Sequence, residues 1–515
     1  MDKNFTSTLA GASILLTTVG LIGKSLGFIR EIVFADYFGL NTRYNLYLVG
    51  AVLPLTINSI IFYITQNYFI PNYNKLKVEK SGAVKVLTSS IYWLFTAGAA
   101  ALSLLLYFFS RAIISFYLQN QTPFDIEIAL NVFRIFLITI PLNTSSAVLA
   151  AYMQAELKFK YPAYSQLFMN AAVIILVMIF AVNAGVYTIP LGYAAGSLFQ
   201  LAFLLIKSRG SVILNIKELF RNEEKFFTIK TSFIIIIIIE SISQMFLFAD
   251  RYFYNSVDKG GIASLNYAMN IYILPVTIFS LALTTAIFPK LSLLYISSRT
   301  EDLQNTIDNF YSINLLLFVP VSVVLFFYGN LIIRILFQRG EFSPSDTLMT
   351  FNVLRYYTLS LIFYSTYAVI NKLLYSANLV KSLLAITIAG CLIKAVLNFI
   401  LVGHYRQTGL AVSTTISYLF FFASALAIAS FKLKLSNTYF FKELLFSAAN
   451  TLLSISIANI LISSDLIKSP LLNGIIRLVV FSIIYSMNFI ISKHNSLNLF
   501  QGILGYFRQK EVKAS

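Results

Sequence analysis

The chain has 515 residues, 58% of them hydrophobic and only 11% charged, with a formal net charge of +17. Ordinary soluble domains carry about 25% charged residues, so the composition excludes a soluble globular enzyme and points to the bilayer. A single cysteine, Cys391, and two distant histidines, His404 and His494, exclude a disulfide framework and any His/Cys metal-ligand spacing.

A spanning helix needs about 20 mostly apolar residues. Segments of that kind fall at 9–29, 45–69, 84–108, 126–152, 161–182, 186–206, 231–249, 265–288, 310–328, 349–374, 381–402, 408–430, 441–463 and 472–492. Barrel strands would be shorter and alternate in polarity; these do not. The predicted class is therefore an all-α polytopic membrane protein with about fourteen transmembrane helices.

The first segment, "LAGASILLTTVGLIG", has no small-residue cleavage site and reads as a retained helix rather than a signal peptide. It runs into "LIGKSLGFIREIVFADYFG", where Lys24, Arg30, Glu31 and Asp36 arrive before the hydrophobicity ends. A charge at the bilayer centre costs about 2.5–3.5 kcal/mol on insertion scales, so such residues face a protein interior or a watery cavity.

Loop charges set the topology. With the N-terminus in the cytoplasm, one side collects Lys75, Lys77, Lys80, Lys85, Lys158 and Lys160, then the run from Lys207 to Lys230, then Lys432, Lys434, Lys442 and the C-terminal basic residues. The other side holds mainly Arg43, Arg111, Arg251, Lys259, Arg334, Arg339, Arg406 and Lys468. This positive-inside bias puts both termini in the cytoplasm. It also accounts for the net charge through anionic lipid at the inner face, without nucleic acid.

The chain partly repeats itself. Phe34 to Leu76 and Phe248 to Leu294 share a Phe-Ala-Asp, a Tyr-rich helix start, a Leu-Pro, a hydroxyl-bearing run and a Pro near a Lys. Both copies run in the same direction, which predicts two pseudo-symmetric lobes around a central cavity, as in transporters built from repeats. The expected division is an N-lobe at 1–206, a basic cytoplasmic linker at 207–230, a C-lobe at 231–430, and two additional helices with a cytoplasmic tail at 431–515. The linker contains an amphipathic stretch suited to the inner membrane surface.

"GKSLGFIREIVFADYFG" is similar to the first-helix signature of the MviN/MurJ family, the bacterial lipid II flippases of the multidrug/oligosaccharidyl-lipid/polysaccharide exporter superfamily. "ASLNYAMNIYILPVTIFSLALTTAIFPKLS" resembles that family's eighth helix, "IRILFQRGEFSPSDT" its loop after helix nine, and "GLAVSTTISYLF" its twelfth helix. The resemblance covers nearly the whole chain and implies fourteen helices in two lobes, with an undecaprenyl-diphosphate-linked sugar crossing through a cationic cavity. Lys24 and Arg30 then match two first-helix arginines of the family, placed to give charge-assisted hydrogen bonds to a diphosphate. Lys24 lacks the guanidinium fork and grips less directionally.

Other positions depart from the pattern. Asn45 stands where the family has an acid, Asn58 and Ser59 replace its Arg-Arg, Tyr63 and Ile64 its Glu-Gly, and Met269 and Asn270 its Asp-Arg. The neutral set Asn45, Asn58, Ser59, Gln66, Asn67 and Asn270 suits hydrogen bonding to sugar hydroxyls, so the implied substrate is lipid II or a related lipid-linked glycan. Glu240, with Gln244 one turn later, and Lys394 are further intramembrane charges, candidates for ion or proton coupling or for a groove. Arg134 and Arg477 lie close enough to helix ends to snorkel. Arg339 and Asp346 are expected to bracket a turn. No phosphate-binding loop, nucleophile–base arrangement or paired catalytic carboxylates occurs, which excludes an enzyme reading. The expected protein is a monomeric, cofactor-free flippase working by alternating access, coupled to the membrane potential or a monovalent cation, with anionic lipids and cell-envelope synthesis enzymes as candidate associates. The alternatives are a cation-coupled small-molecule antiporter of the same superfamily and a non-transporting membrane scaffold.

Overall fold

The computed structural model of the chain describes residues 9–79, 83–119, 121–208, 231–462 and 469–491. The regular elements among them are helical: α1 (Leu9–Phe38), α2 (Thr42–Glu79), α3 (Ala83–Phe108), α4 (Ser110–Tyr117), α5 (Pro123–Leu137), α6 (Thr139–Ala155), α7 (Lys160–Ala184), α8 (Thr188–Ser208), α9 (Thr231–Phe248), α10 (Gly261–Pro275), α11 (Leu281–Ile296), α12 (Thr300–Phe337), α13 (Pro344–Leu359), α14 (Leu361–Ser376), α15 (Val380–Leu433), α16 (Thr438–Leu461) and α17 (Pro470–Ile491).

Several breaks interrupt what is otherwise one span each. The join of α5 and α6 precedes Pro141, a π-turn at Val276–Ser280 follows Pro275 between α10 and α11, and Ser360 separates α13 from α14. Proline removes a helix donor, and neighbouring helices re-satisfy the freed carbonyl, so such breaks are tolerated inside a membrane bundle. In α15 the break is Arg406, which sits at φ 50° and divides the helix into two spans. Joined across the first three breaks and split at the fourth, with short α4 left as a connector, the described residues form fourteen successive spans, each overlapping one predicted segment. The observed helices outrun the apolar segments: α1 reaches Phe38 and α2 reaches Glu79. Lys, Arg and Glu are good helix formers, so a charge ends the hydrophobic run without ending the helix.

The chain groups into two compact units, one of 1–264 with 337–346, the other of 265–336 with 347–515. Helix α9, expected at the start of the second lobe, packs on α2 in the first unit. The predicted linker lies, apart from Lys207 and Ser208, outside the described residues, as does the tail after Ile491.

In the first unit α7 and α8 form a tight antiparallel pair. Its cause is the "GYAAG" of α8: a Cβ on Gly192 would lie 2.6 Å from Val173 Cα, and one on Gly196 2.7 Å from Met169 Cα. Small residues four apart let membrane helices approach to backbone contact, where packing replaces the missing hydrophobic drive. At one end of α2, Tyr73 Oη and Lys77 Nζ both donate to the Glu156 carboxylate, each at 2.6 Å, tying α2 to the turn after α6.

The turn between α1 and α2 is held from two directions within the same unit. Glu341 N donates to Asp36 O at 2.8 Å, and Gly340, at φ 51°, brings its Cα so close that a Cβ would sit 2.2 Å from the same oxygen. The predicted turn-bracketing role of Asp346 has a concrete form. Ser343 N donates to Asp346 Oδ2 at 3.0 Å and Asp346 N donates to Ser343 Oγ at 3.2 Å, a reciprocal cap that starts α13 with Pro344 at its first position. On the other side Ala263 N donates to Asn45 Oδ1 at 2.8 Å, and Asn45 Nδ2 donates to Leu40 O and Asn41 O.

In the second unit an aromatic core surrounds Tyr272, whose hydroxyl pairs with Ser360 Oγ at 2.9 Å and whose ring stacks on Tyr364 and Tyr418. Arg477 of α17 donates from Nε to Ile462 O at 2.9 Å, satisfying an orphan carbonyl at the end of α16.

Candidate functional site

Arg30 is the best-built polar centre of the first unit. Helix α1 packs along α7, with Gly23 facing Leu167 and Gly27 facing Asn170 at distances where even a Cβ would make only ordinary contact, 3.7 and 3.8 Å. Asn170 Nδ2 donates to Gly23 O at 3.2 Å, and its Oδ1 accepts from Arg30 Nη1 at 3.1 Å. One asparagine therefore fixes the helix–helix distance and the direction of the guanidinium together. Arg30 Nη2 donates to the carboxylate of Glu31. The guanidinium carbon lies 5.5 Å from the Phe34 ring centroid and 5.4 Å from that of Tyr193 on α8. Cation–π contact of that kind is worth about 2 kcal/mol when desolvated. Tyr47 of α2 lies within electrostatic reach of both Arg30 and Glu31 and meets Phe34 edge-on at 6.3 Å.

The Arg30 side chain is 19% exposed and Glu31 7%. The Nε–H of Arg30 is buried and has no partner among the described residues. Of the five donors in the rigid fork, one is engaged by Asn170 and one by Glu31, and the buried Nε–H is without a partner among the described residues.

The candidate residues on α2 fall into three groups. Asn45 is 2% exposed, and both of its side-chain polar atoms are bonded to backbone at the α1–α2 turn. Ser59 and Asn67 donate to their own helix, at Leu55 O and Tyr63 O. Asn58 donates from Nδ2 to Thr139 Oγ1 at 2.9 Å, while its buried Oδ1 and the buried Nε2 of Gln66 have no partner among the described residues. Eight residues separate these two on α2, or about 12 Å along the axis.

Lys24 is half-buried on α1, six residues before Arg30, so on a regular helix it lies about 9 Å along the axis and about 120° round it. The two cations thus occupy different faces of the helix. Glu240 on α9 is half-buried, accepts from Gln244 Nε2 at 2.9 Å and faces Tyr63 of α2. Asn270 and Lys394 belong to the second unit, the former half-buried on α10 and the latter 2% exposed on α15.

Asn170, Tyr193 and Tyr47 were not among the candidates read from the sequence. Asn170 carried a usable signal, an amide within the apolar run "LFMNAAVIILV"; the tyrosines did not, among 31 in the chain.

The comparison with known proteins fits this architecture. Residues 34–481 match the family described as lipid II flippase MurJ. The chain belongs to that family. The lipid II flippase MurJ of Thermosipho africanus (strain TCF52B) is 26% identical over 443 residues, covering 82% of this chain and 88% of that protein. A probable lipid II flippase MurJ of Buchnera aphidicola subsp. Acyrthosiphon pisum (strain APS) is 26% identical over 414 residues, covering 78% and 80%. Among solved structures, lipid II flippase MurJ in an inward closed conformation superposes with a TM-score of 0.76 at 23% identity, over 93% of this chain and 99% of that one. An inward-facing multidrug resistance MATE family transporter of the MOP superfamily gives 0.61 at 14% identity, over 83% and 95%. The fold is thus the MurJ/MATE fold of a polytopic membrane transporter, and the family is one of transporters rather than enzymes.

Proposed function

We propose that this protein translocates a polyprenyl-diphosphate-linked cell-envelope precursor, lipid II or a related lipid-linked glycan, across the bacterial inner membrane by alternating access, with both termini in the cytoplasm. Arg30 carries the proposal. It is a guanidinium on a membrane helix, framed by Asn170, Glu31 and two aromatic rings, with a buried Nε–H left over. A diphosphate supplies the acceptor that this donor lacks. Lys24 adds long-range attraction from another face of α1, and Glu240 and Lys394 are the candidates for coupling to an ion or to the membrane potential. Asn45 takes a supporting part, fixing the turn on which α1 and α2 meet.

A related glycan, rather than lipid II alone, is favoured by Asn58 and Gln66. Asn58, where the family resemblance implies an arginine, presents a buried acceptor, and Gln66 presents a buried donor. Unpaired polar atoms of this kind read hydroxyls, because a headgroup that leaves them unpaired forfeits the hydrogen bond.

The test is complementation in cells depleted of their lipid II flippase, with lipid-linked intermediates measured in parallel. The wild-type protein should restore growth and clear the intermediates. Arg30→Ala should abolish export at unchanged membrane abundance, and full activity in that variant refutes the assignment.

A further inference from the structure

One end of the first unit gathers cations around aromatic rings that the transport reading does not use. Helix α7 begins there with Lys160, and antiparallel α8 brings Lys207 to the same end in its last turn. Lys160 Nζ lies 5.0 Å and Lys207 Nζ 6.0 Å from the centroid of one ring, that of Tyr161. Lys207 Nζ also lies 5.8 Å from the centroid of Phe203. Phe203 fills the seam between the two helices, meeting Tyr161 at 6.4 Å and Phe168 edge-on at 5.2 Å. Each helix thus holds one ammonium over a shared aromatic floor.

A ring attracts a cation within about 6 Å of its centroid, but two cations over the same ring repel each other. Neither lysine has a carboxylate partner among the described residues. Glu156, at the same end, is already bound by Tyr73 Oη and Lys77 Nζ, and Lys158 lies within its electrostatic reach. The excess of positive charge calls for an anion from outside the chain.

The surroundings say which kind. Helices α7 and α8 are apolar spans, and Lys207, Phe203 and Phe199 recur every four residues along one face of α8. Phe199 and Ile206 are exposed, as is Tyr164, one turn along α7 from Lys160. Cations at the end of a span, with exposed apolar and aromatic side chains further along it, match a molecule with an anionic head and an acyl tail. Tyrosines gather at headgroup level, and basic pockets between spans hold acidic lipid headgroups.

We propose that the Lys160–Lys207 pair over Tyr161 is a binding site for an anionic phospholipid, its phosphate between the two ammonium groups and its acyl chain along Phe203 and Phe199. The lipid bridges the two helices that carry Asn170 and Tyr193, at the opposite end of α8 from Gly192. Because it needs only the membrane, the site stands or falls separately from the transported precursor.

Native mass spectrometry of the full chain in detergent, titrated with phosphatidylglycerol or phosphatidylethanolamine, reads the first lipid bound. The wild-type protein should prefer phosphatidylglycerol, and Lys160→Gln or Lys207→Gln should each cut that preference about fivefold. Lys160→Arg with Lys207→Arg should keep it. Lys381→Gln with Lys434→Gln, which removes two exposed lysines of the second unit, should leave it unchanged. A wild-type preference in Lys160→Gln with Lys207→Gln refutes the site. So does an equal loss in the second-unit pair, since net charge alone then attracts the lipid. Displacement of phosphatidylglycerol by equimolar undecaprenyl diphosphate overturns the phospholipid assignment in favour of the precursor.

Discussion

Replacing Asn170 by Leu separates the frame of the site from its charge. The leucine keeps nearly the same volume between α1 and α7 but removes the acceptor of Arg30 Nη1 and the donor to Gly23 O. The Gly23 carbonyl lies inside α1 and keeps its helical partner, so its loss is small. Losing the Arg30 bond costs more, since hydrogen bonds to a charged group are worth about 1.5–3 kcal/mol. Without it the guanidinium keeps its bond to Glu31, and its fork is free to turn. At about 1.4 kcal/mol per factor of ten, transport should fall about 10–150-fold if the fork must be aimed before the diphosphate arrives. The assay is clearance of lipid-linked precursors in flippase-depleted cells expressing each variant at matched membrane abundance, with thermal unfolding of the purified proteins alongside. Asn170→Asp is the informative partner: it restores the acceptor and adds a second carboxylate, so it should unfold no earlier than wild type yet transport poorly. Wild-type clearance by both variants would show that Arg30 needs no aiming by α7, and the reasoning fails.

Gly196→Leu should destabilise the α7–α8 pair by about 1–3 kcal/mol through overpacking against Met169, lowering the unfolding temperature, whereas Gly98→Leu, with nothing within 4 Å, should not. Gly340→Ala should lose about 1–3 kcal/mol from the left-handed backbone alone, plus the clash with Asp36 O; Gly340→Asn, which tolerates that backbone but not the clash, should fail to rescue stability in the same assay. Burial would raise the Glu156 carboxyl, but hydrogen bonds from Lys77 and Tyr73 outweigh it and hold it below its ordinary range. The clamp therefore contributes above the unfolded carboxylate pKa and is lost as pH falls through the lowered folded value. Because the pair is exposed, the stabilities of wild type and Glu156→Gln should differ by only about 0–1 kcal/mol at neutral pH, and their unfolding temperatures should converge in acid.

Hydropathy located the fourteen spans because bilayer thickness fixes a length that apolar runs must meet, and it identified Arg30 because a cation there is costly. It could not assign the partners of that cation. Asn170 and Tyr193 lie 140 and more residues away on α7 and α8, and their meeting depends on glycines in α8 that let α7 and α8 close. Nor does a sequence tell a binding amide from a structural one. Asn45 and Asn58 are chemically identical and 13 positions apart on one helix; the first spends both polar atoms on backbone, while the second keeps an acceptor unpaired. The distinction comes from Ala263, which arrives at Asn45 from more than two hundred residues downstream.

The Arg30 centre contains its own counter-ion, and this shapes what it can select. An unpaired guanidinium in apolar surroundings is strongly disfavoured, and removing one partner of a buried pair costs about 3–5 kcal/mol. Glu31 and the faces of Phe34 and Tyr193 keep the charge in place when no substrate is bound. They also raise the threshold for binding, since an anion must offer more than the Glu31 carboxylate already does. On the proposed assignment, a diphosphate would meet that threshold with about two charges and several acceptor oxygens, and a neutral or singly acidic drug would not. On the same assignment, charge is selected on α1 and the headgroup on α2, where Asn58 Oδ1 and Gln66 Nε2 are buried without partners among the described residues. Selection by charge at one helix and by hydrogen bonding at its neighbour lets the sugar change while the diphosphate grip stays the same.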